Sequence, residues 1–141
     1  MASSRPKATL GHIGINLSSE ESSFPLWKDL LNHLGFTIIP DGNHFDATDG
    51  HSYLCFTITK APHQQSGFHR KRTGLNHIAF NVPSAQAVDT FVTEFMAPRG
   101  LAPLYNGAKA YPQYANGYYA VYFEDADRIK IEIAFDPTLK I

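Results

Sequence analysis

The chain has 141 residues, 43% of them hydrophobic and 18% charged, a balance that supports an ordinary buried core and excludes a disordered or low-complexity chain. Twelve Lys and Arg against thirteen Asp and Glu leave a net charge of −1, so no global field draws the molecule to nucleic acid or to an anionic membrane, and the expected partner is a small molecule. The single cysteine, Cys55, excludes an internal disulfide, the opening Met1-Ala2-Ser3-Ser4-Arg5-Pro6-Lys7 has no apolar segment, and no stretch approaches the roughly 18 apolar residues of a membrane span. The expected location is the cytoplasm.

The first predicted element is a strand over Gly11-His12-Ile13-Gly14-Ile15-Asn16-Leu17. Alternate side chains of a strand point to opposite faces, so Ile13, Ile15 and Leu17 share one face and His12, Gly14 and Asn16 the other. A helix follows, marked by the stripe Phe24, Trp27, Leu30, Leu31 and Leu34, with Pro25 expected in its first turn and Gly35 ending it. Shorter strands come next. One of them carries His44 and Asp46 on a common face, and His44 and His51 flank the turn at Asp49-Gly50. Residues 61–73, with Pro62, Gly67 and the basic His69-Arg70-Lys71-Arg72, read as a solvated linker rather than a nucleic-acid patch.

Beyond the linker the pattern returns. Asn76-His77-Ile78-Ala79-Phe80-Asn81-Val82 echoes the first strand, and the offset that carries His12 to His77 also carries Gly35 to Gly100. Ser84 is the expected N-cap of a second helix with the stripe Val88, Phe91, Val92, Phe95 and Met96. Five tyrosines then crowd together at Tyr111, Tyr114, Tyr118, Tyr119 and Tyr122. In the last strands Val121 and Phe123 face the core while Ala120 and Tyr122 face away, and Ile129, Ile131, Ile133 and Phe135 oppose Lys130, Glu132 and Ala134. The expectation is one α+β domain over 1–141, made of two βαβββ modules at 8–60 and 74–136, whose mixed, curved sheets enclose a concavity. Its polar side presents His12, His77 and Glu132. Two neutral imidazoles and a carboxylate form a set that holds one divalent ion of Fe, Mn, Ni, Co or Zn and leaves coordination positions open.

These stretches, with Tyr111-Pro112-Gln113-Tyr114-Ala115-Asn116-Gly117-Tyr118-Tyr119 leading to Ile129-Lys130-Ile131-Glu132, resemble the vicinal oxygen chelate superfamily of glyoxalases, bleomycin-resistance proteins and extradiol dioxygenases. The resemblance covers nearly the whole chain. It implies metal ligands at His12, His77 and Glu132, and it places the fourth family position near Thr57, where glyoxalase I would carry a second carboxylate. Where many relatives have Asp-Pro-Asp-Gly, this chain has Asp125-Ala126-Asp127-Arg128, and a positive φ retained there by arginine would cost of order 1 kcal/mol.

The implied function is a metal-dependent lyase, isomerase or transferase that chelates vicinal substrate oxygens, with Glu132 and Tyr122 catalytic and Asn16, Asn81, Tyr111 and Tyr114 meeting substrate. Two alternatives stand beside it: an Fe(II) extradiol-type dioxygenase, and a non-catalytic drug-binding protein of the bleomycin-resistance kind. The resemblance also implies a homodimer.

Overall fold

The alternation read from the sequence becomes two four-stranded mixed sheets, each backed by one helical segment, in a computed structural model that describes residues 4–140. Met1, Ala2 and Ser3 of the polar N-terminal stretch lie outside the described residues, as does Ile141. The chain divides into two compact units, one ending at Ala61 and the other beginning at Pro62, the boundary falling at the start of the expected linker. No helix of the described residues is long and apolar enough to cross a membrane.

In the N-terminal unit β1 (His12–Leu17) leads into α1 (Glu20–His33), and the antiparallel strands β2 (Thr37–Asp41), β3 (His44–Thr48) and β4 (Tyr53–Ile58) follow. The sheet order is β1-β4-β3-β2, with β1 parallel to β4. Ser19 caps α1 by accepting from Ser22 N at 3.2 Å. Because the helix starts at Glu20, Pro25 lies beyond the first turn expected for it and forgoes the hydrogen bond an N–H would give to Glu21. The stripe is otherwise as read: Phe24, Trp27, Leu30 and Leu31 are buried on one sheet face, with Trp27 against Phe56 at 4.9 Å between ring centroids. His12, Gly14 and Asn16 are exposed on the opposite side.

The C-terminal unit repeats the plan as β5 (Ile78–Asn81), α2 (Ala85–Phe91), β6 (Lys109–Ala110), β7 (Tyr119–Glu124) and β8 (Lys130–Phe135), in the order β5-β8-β7-β6. Ser84 caps α2 as expected, accepting from Ala87 N at 3.0 Å. The single regular helix expected here does not form. After Phe91 the turns widen over Val92–Met96 and tighten over Ala97–Arg99. Pro98 explains the change, since it has no N–H to give to the carbonyl four residues back and its ring crowds that turn. Val88, Phe91, Phe95 and Met96 are still buried.

Both helical segments close identically. Gly35 at φ 87 and Gly100 at φ 64 take the left-handed conformation, Phe36 N and Leu101 N reach back to Leu31 O and Met96 O, and Gly35 N and Gly100 N bond Asn32 O and Ala97 O. This shared closure is the physical content of the repeat. The strand registers refine it: Gly14 pairs with Cys55 and its repeat equivalent Ala79 pairs with Glu132. Cys55, not Thr57, therefore occupies the position equivalent to Glu132.

Candidate metal centre and its aromatic cavity

Glu132 is the centre of the site. On β8 its neighbours Ile131 and Ile133 face the helical side, so the pleat sends its carboxylate to the opposite face, between Ala79 on β5 and Tyr122 on β7. The residue is only 1% exposed. A buried carboxylate needs donors, and Tyr118 supplies one: its hydroxyl lies 3.1 Å from Oε1 and 3.0 Å from Oε2. Tyr122 lies directly opposite Glu132 in the strand register. The ionisation of both phenols is pushed far above the ordinary tyrosine range, by burial first and then by the Glu132 carboxylate. They are donors, and will not serve as bases.

His77 completes a pair. It stands just before β5, its Nδ1 is 2.7 Å from Asn76 Oδ1, and its Nε2 is 3.8 Å from Glu132 Oε2. With the Asn76 oxygen accepting, the imidazole proton sits on Nδ1 and Nε2 presents its lone pair. In that tautomer the Nε2 lone pair faces the Glu132 carboxylate. A divalent ion satisfies that arrangement, because bonds of about 2.0–2.2 Å from each donor span the gap. His77 and Glu132 thus fit as two donors of a metal site, and Asn76 and Tyr118 are the outer partners that hold them in place.

Among the described residues no group of three or more His, Cys, Asp or Glu is placed to hold a metal ion; His77 and Glu132 belong to the C-terminal unit and His12 to the N-terminal one. His12 lies on β1 of the N-terminal unit, its ring stacked on Tyr53 at 4.6 Å. Asn16, in the same unit, accepts from Thr57 Oγ1 at 2.8 Å. Cys55 Sγ lies over Gly14, where an added Cβ would stand 3.4 Å from it. Asn81, expected to meet substrate, accepts from Asp136 N at 2.9 Å and fastens the chain after β8. His44 pairs with Asp41 at 3.9 Å on an exposed edge.

Beside the His77 and Glu132 pair opens a cavity of about 350 Å³, to whose walls Tyr105, Tyr111, Tyr114, Tyr122, Lys109 and Lys130 contribute. This size falls within the range of about 300–1,000 Å³ usual for small-molecule sites. Tyr111, Tyr114 and Tyr122, which the sequence put forward, line it. Tyr111 stacks on Tyr114 at 5.5 Å and meets Tyr122 edge-on at 5.7 Å. The Tyr111 phenol oxygen is buried without a hydrogen-bond partner, and burial raises its pKa.

Four residues were missed in the sequence reading. Tyr118 was counted among the tyrosines but not linked to Glu132. Lys130 was placed on the polar face, a signal that pointed to the site, while Lys109 sits on a two-residue strand too short to show alternation. Tyr105 belongs to a loop where it and Asn106 hold positive φ values of 55 and 69. Its hydroxyl accepts from Lys130 Nζ at 3.2 Å, and this hydrogen bond most, with the Lys130 and Arg70 charges after it, lowers its pKa.

The fold is that of a two-module βαβββ protein whose C-terminal module carries a pair of facing donors beside a cavity. No family model matches the chain. It is 33% identical over 123 residues to the uncharacterised protein YqjT of Bacillus subtilis (strain 168), a match covering 86% of this chain and 94% of that one. A candidate glyoxalase structure from Bacillus halodurans shares 36% identity, covers 92% of this chain and 97% of its own, and superposes with a TM-score of 0.79. Lactoylglutathione lyase from Agrobacterium tumefaciens has the same fold at 16% identity, covering 97% of this chain and 100% of its own with a TM-score of 0.68. The chain belongs to the vicinal oxygen chelate superfamily.

Proposed function

We propose that the protein is a metal-dependent enzyme acting on a small molecule that presents two neighbouring oxygens, in a lyase, isomerase or transferase reaction. The observation that carries this reading is the facing pair of acceptors, His77 Nε2 and Glu132 Oε2, beside an aromatic cavity. A binding protein that only sequesters a hydrophobic compound has no use for a pair of metal donors at the edge of its cavity.

In this reading His77 and Glu132 are two of the metal's donors and His12 is the third. The ion supplies Lewis acidity toward charge developing on the substrate oxygens. The chain's own residues do the rest. Tyr118 fixes the direction of the carboxylate, and Asn76 fixes the imidazole tautomer. Tyr122, whose ring lies 5.9 Å from that of His77, remains protonated and donates a hydrogen bond to an oxygen bound in the cavity. Tyr111 and Tyr114 meet the rest of the substrate in the cavity. We place the enzyme in the cytoplasm as a homodimer.

The test is titration of chelator-stripped protein with Mn(II) or Co(II), followed by turnover assays on substrates with vicinal oxygens. Binding that is lost in His77→Ala and weakened about 10–100-fold or more in His12→Ala supports the ligand assignment. An apo protein that takes up no divalent ion contradicts it.

A further inference from the structure

The cavity walls carry an uncompensated positive charge. Lys109 Nζ lies 5.4 Å from the Tyr111 ring centroid, and Lys130 Nζ lies 5.4 Å from the centroids of Tyr105 and of Tyr122. Among the described residues neither lysine pairs with a carboxylate. Glu124, the carboxylate opposite Lys130 in the strand register, is taken by Arg70 at 3.1 Å and Arg128 at 3.0 Å.

Two consequences follow for a guest. The rings of Tyr105, Tyr111 and Tyr122 already have the protein's own ammonium groups over them, so a cationic compound meets like charge there; two unit charges 4 Å apart repel by about 4 kcal/mol at an effective dielectric constant of 20. An aromatic ring can still pack against the tyrosine edges while an anionic substituent answers a lysine. The two lysines belong to β6 and β8, on either side of β7, which carries Tyr122. Their potential therefore acts from both sides of that ring. The lowered pKa of Tyr105 reports the same field. Glu132, the negative group nearby, is buried and hydrogen-bonded to Tyr118.

We infer that the cavity selects a planar aromatic carboxylate, its ring held among Tyr111, Tyr114 and Tyr122 and its anionic group held by Lys109 or Lys130. This rests on reading the cavity as the substrate site and names the class of substrate it takes.

The experiment is isothermal titration of the full-length protein with naphthoate, naphthylmethanol and naphthylmethylammonium, ligands that share a ring system and differ in charge. Each is measured on chelator-stripped and on Mn(II)-loaded protein. The expected order is naphthoate tightest, about tenfold or more over the neutral alcohol, with the cation weakest, and the preference shrinks as salt is added. Lys109→Met and Lys130→Met lower naphthoate affinity by about five- to tenfold, whereas Lys109→Arg and Lys130→Arg, which keep the charge, retain it. Thermal unfolding checks that each variant folds. Equal affinity for the three compounds, a preference for the cation, or naphthoate binding unchanged in both methionine variants would overturn the inference. Because binding is read without metal as well as with it, lysine-dependent naphthoate binding in a protein that holds no metal sinks only the metal reading. Metal uptake without any charge preference sinks only this inference.

Discussion

Tyr118 lies fourteen positions before Glu132 and gives its one hydroxyl to both carboxylate oxygens, at 3.1 and 3.0 Å. The contact joins the loop ahead of β7 to the middle of β8, and it aims the carboxylate that faces His77.

Tyr118→Phe removes that donor and leaves a buried carboxylate short of one hydrogen bond. The expected loss of stability is about 1–3 kcal/mol, measured by urea unfolding, together with a 10–100-fold weaker affinity for a divalent ion. The pH dependence has a definite sign. Burial, then Glu132, raises the folded phenol's pKa, so its contribution is fully present below the unfolded value of about 10 and fades only as pH rises through the higher folded value. The deficit of the variant should stay constant from about pH 6 to 9; a deficit that vanishes within that window contradicts the assignment.

Tyr105 behaves oppositely. The hydrogen bond from Lys130, opposed only in part by burial, lowers its pKa, so a phenolate favoured in the folded state adds stability as pH rises through that lowered value, fully present above about pH 10. Ultraviolet absorbance of phenolate should begin to rise at lower pH in the parent protein than in Tyr105→Phe. An identical onset in the two proteins contradicts the contact between Tyr105 and Lys130.

Arg128 closes the turn after β7 at φ 65, while Asp125 Oδ1 holds that turn by accepting from Asp127 N and Ile129 N. A left-handed conformation costs a non-glycine residue about 1 kcal/mol, and the exposed pair with Glu124 returns about 0–1 kcal/mol. Arg128→Gly should therefore leave stability unchanged or raise it by up to about 1 kcal/mol. A loss of more than about 1 kcal/mol in urea unfolding would show that the Arg128 side chain, not the backbone, governs this turn.

Much of this was legible because it is periodic. Alternation on β1, β7 and β8 separated buried from site-facing residues, and the parallel between Gly35 and Gly100 announced the repeat. What escaped lies where periodicity ends. The stripe from Val88 to Met96 reads as a regular helix because it reports which side is buried, while Pro98 changes the winding without moving that side. Thr57 stood in for Cys55 because the chain between β1 and β4 is not matched in length by that between β5 and β8, and only the strand register corrects for it. Tyr105 and Lys109 lie on a strained loop and a two-residue strand, neither of which has a face to read.

The central claim is that His77 and Glu132 hold a divalent ion. The measurement is elemental mass spectrometry of protein purified without a metal-chelating tag and then exposed to Fe(II), Mn, Co, Ni or Zn, alongside His77→Ala and Glu132→Ala. The account predicts about one ion per site in the parent protein, lost in both variants while each remains folded. Metal content unchanged in either variant, or no ion taken up by the parent protein, contradicts it.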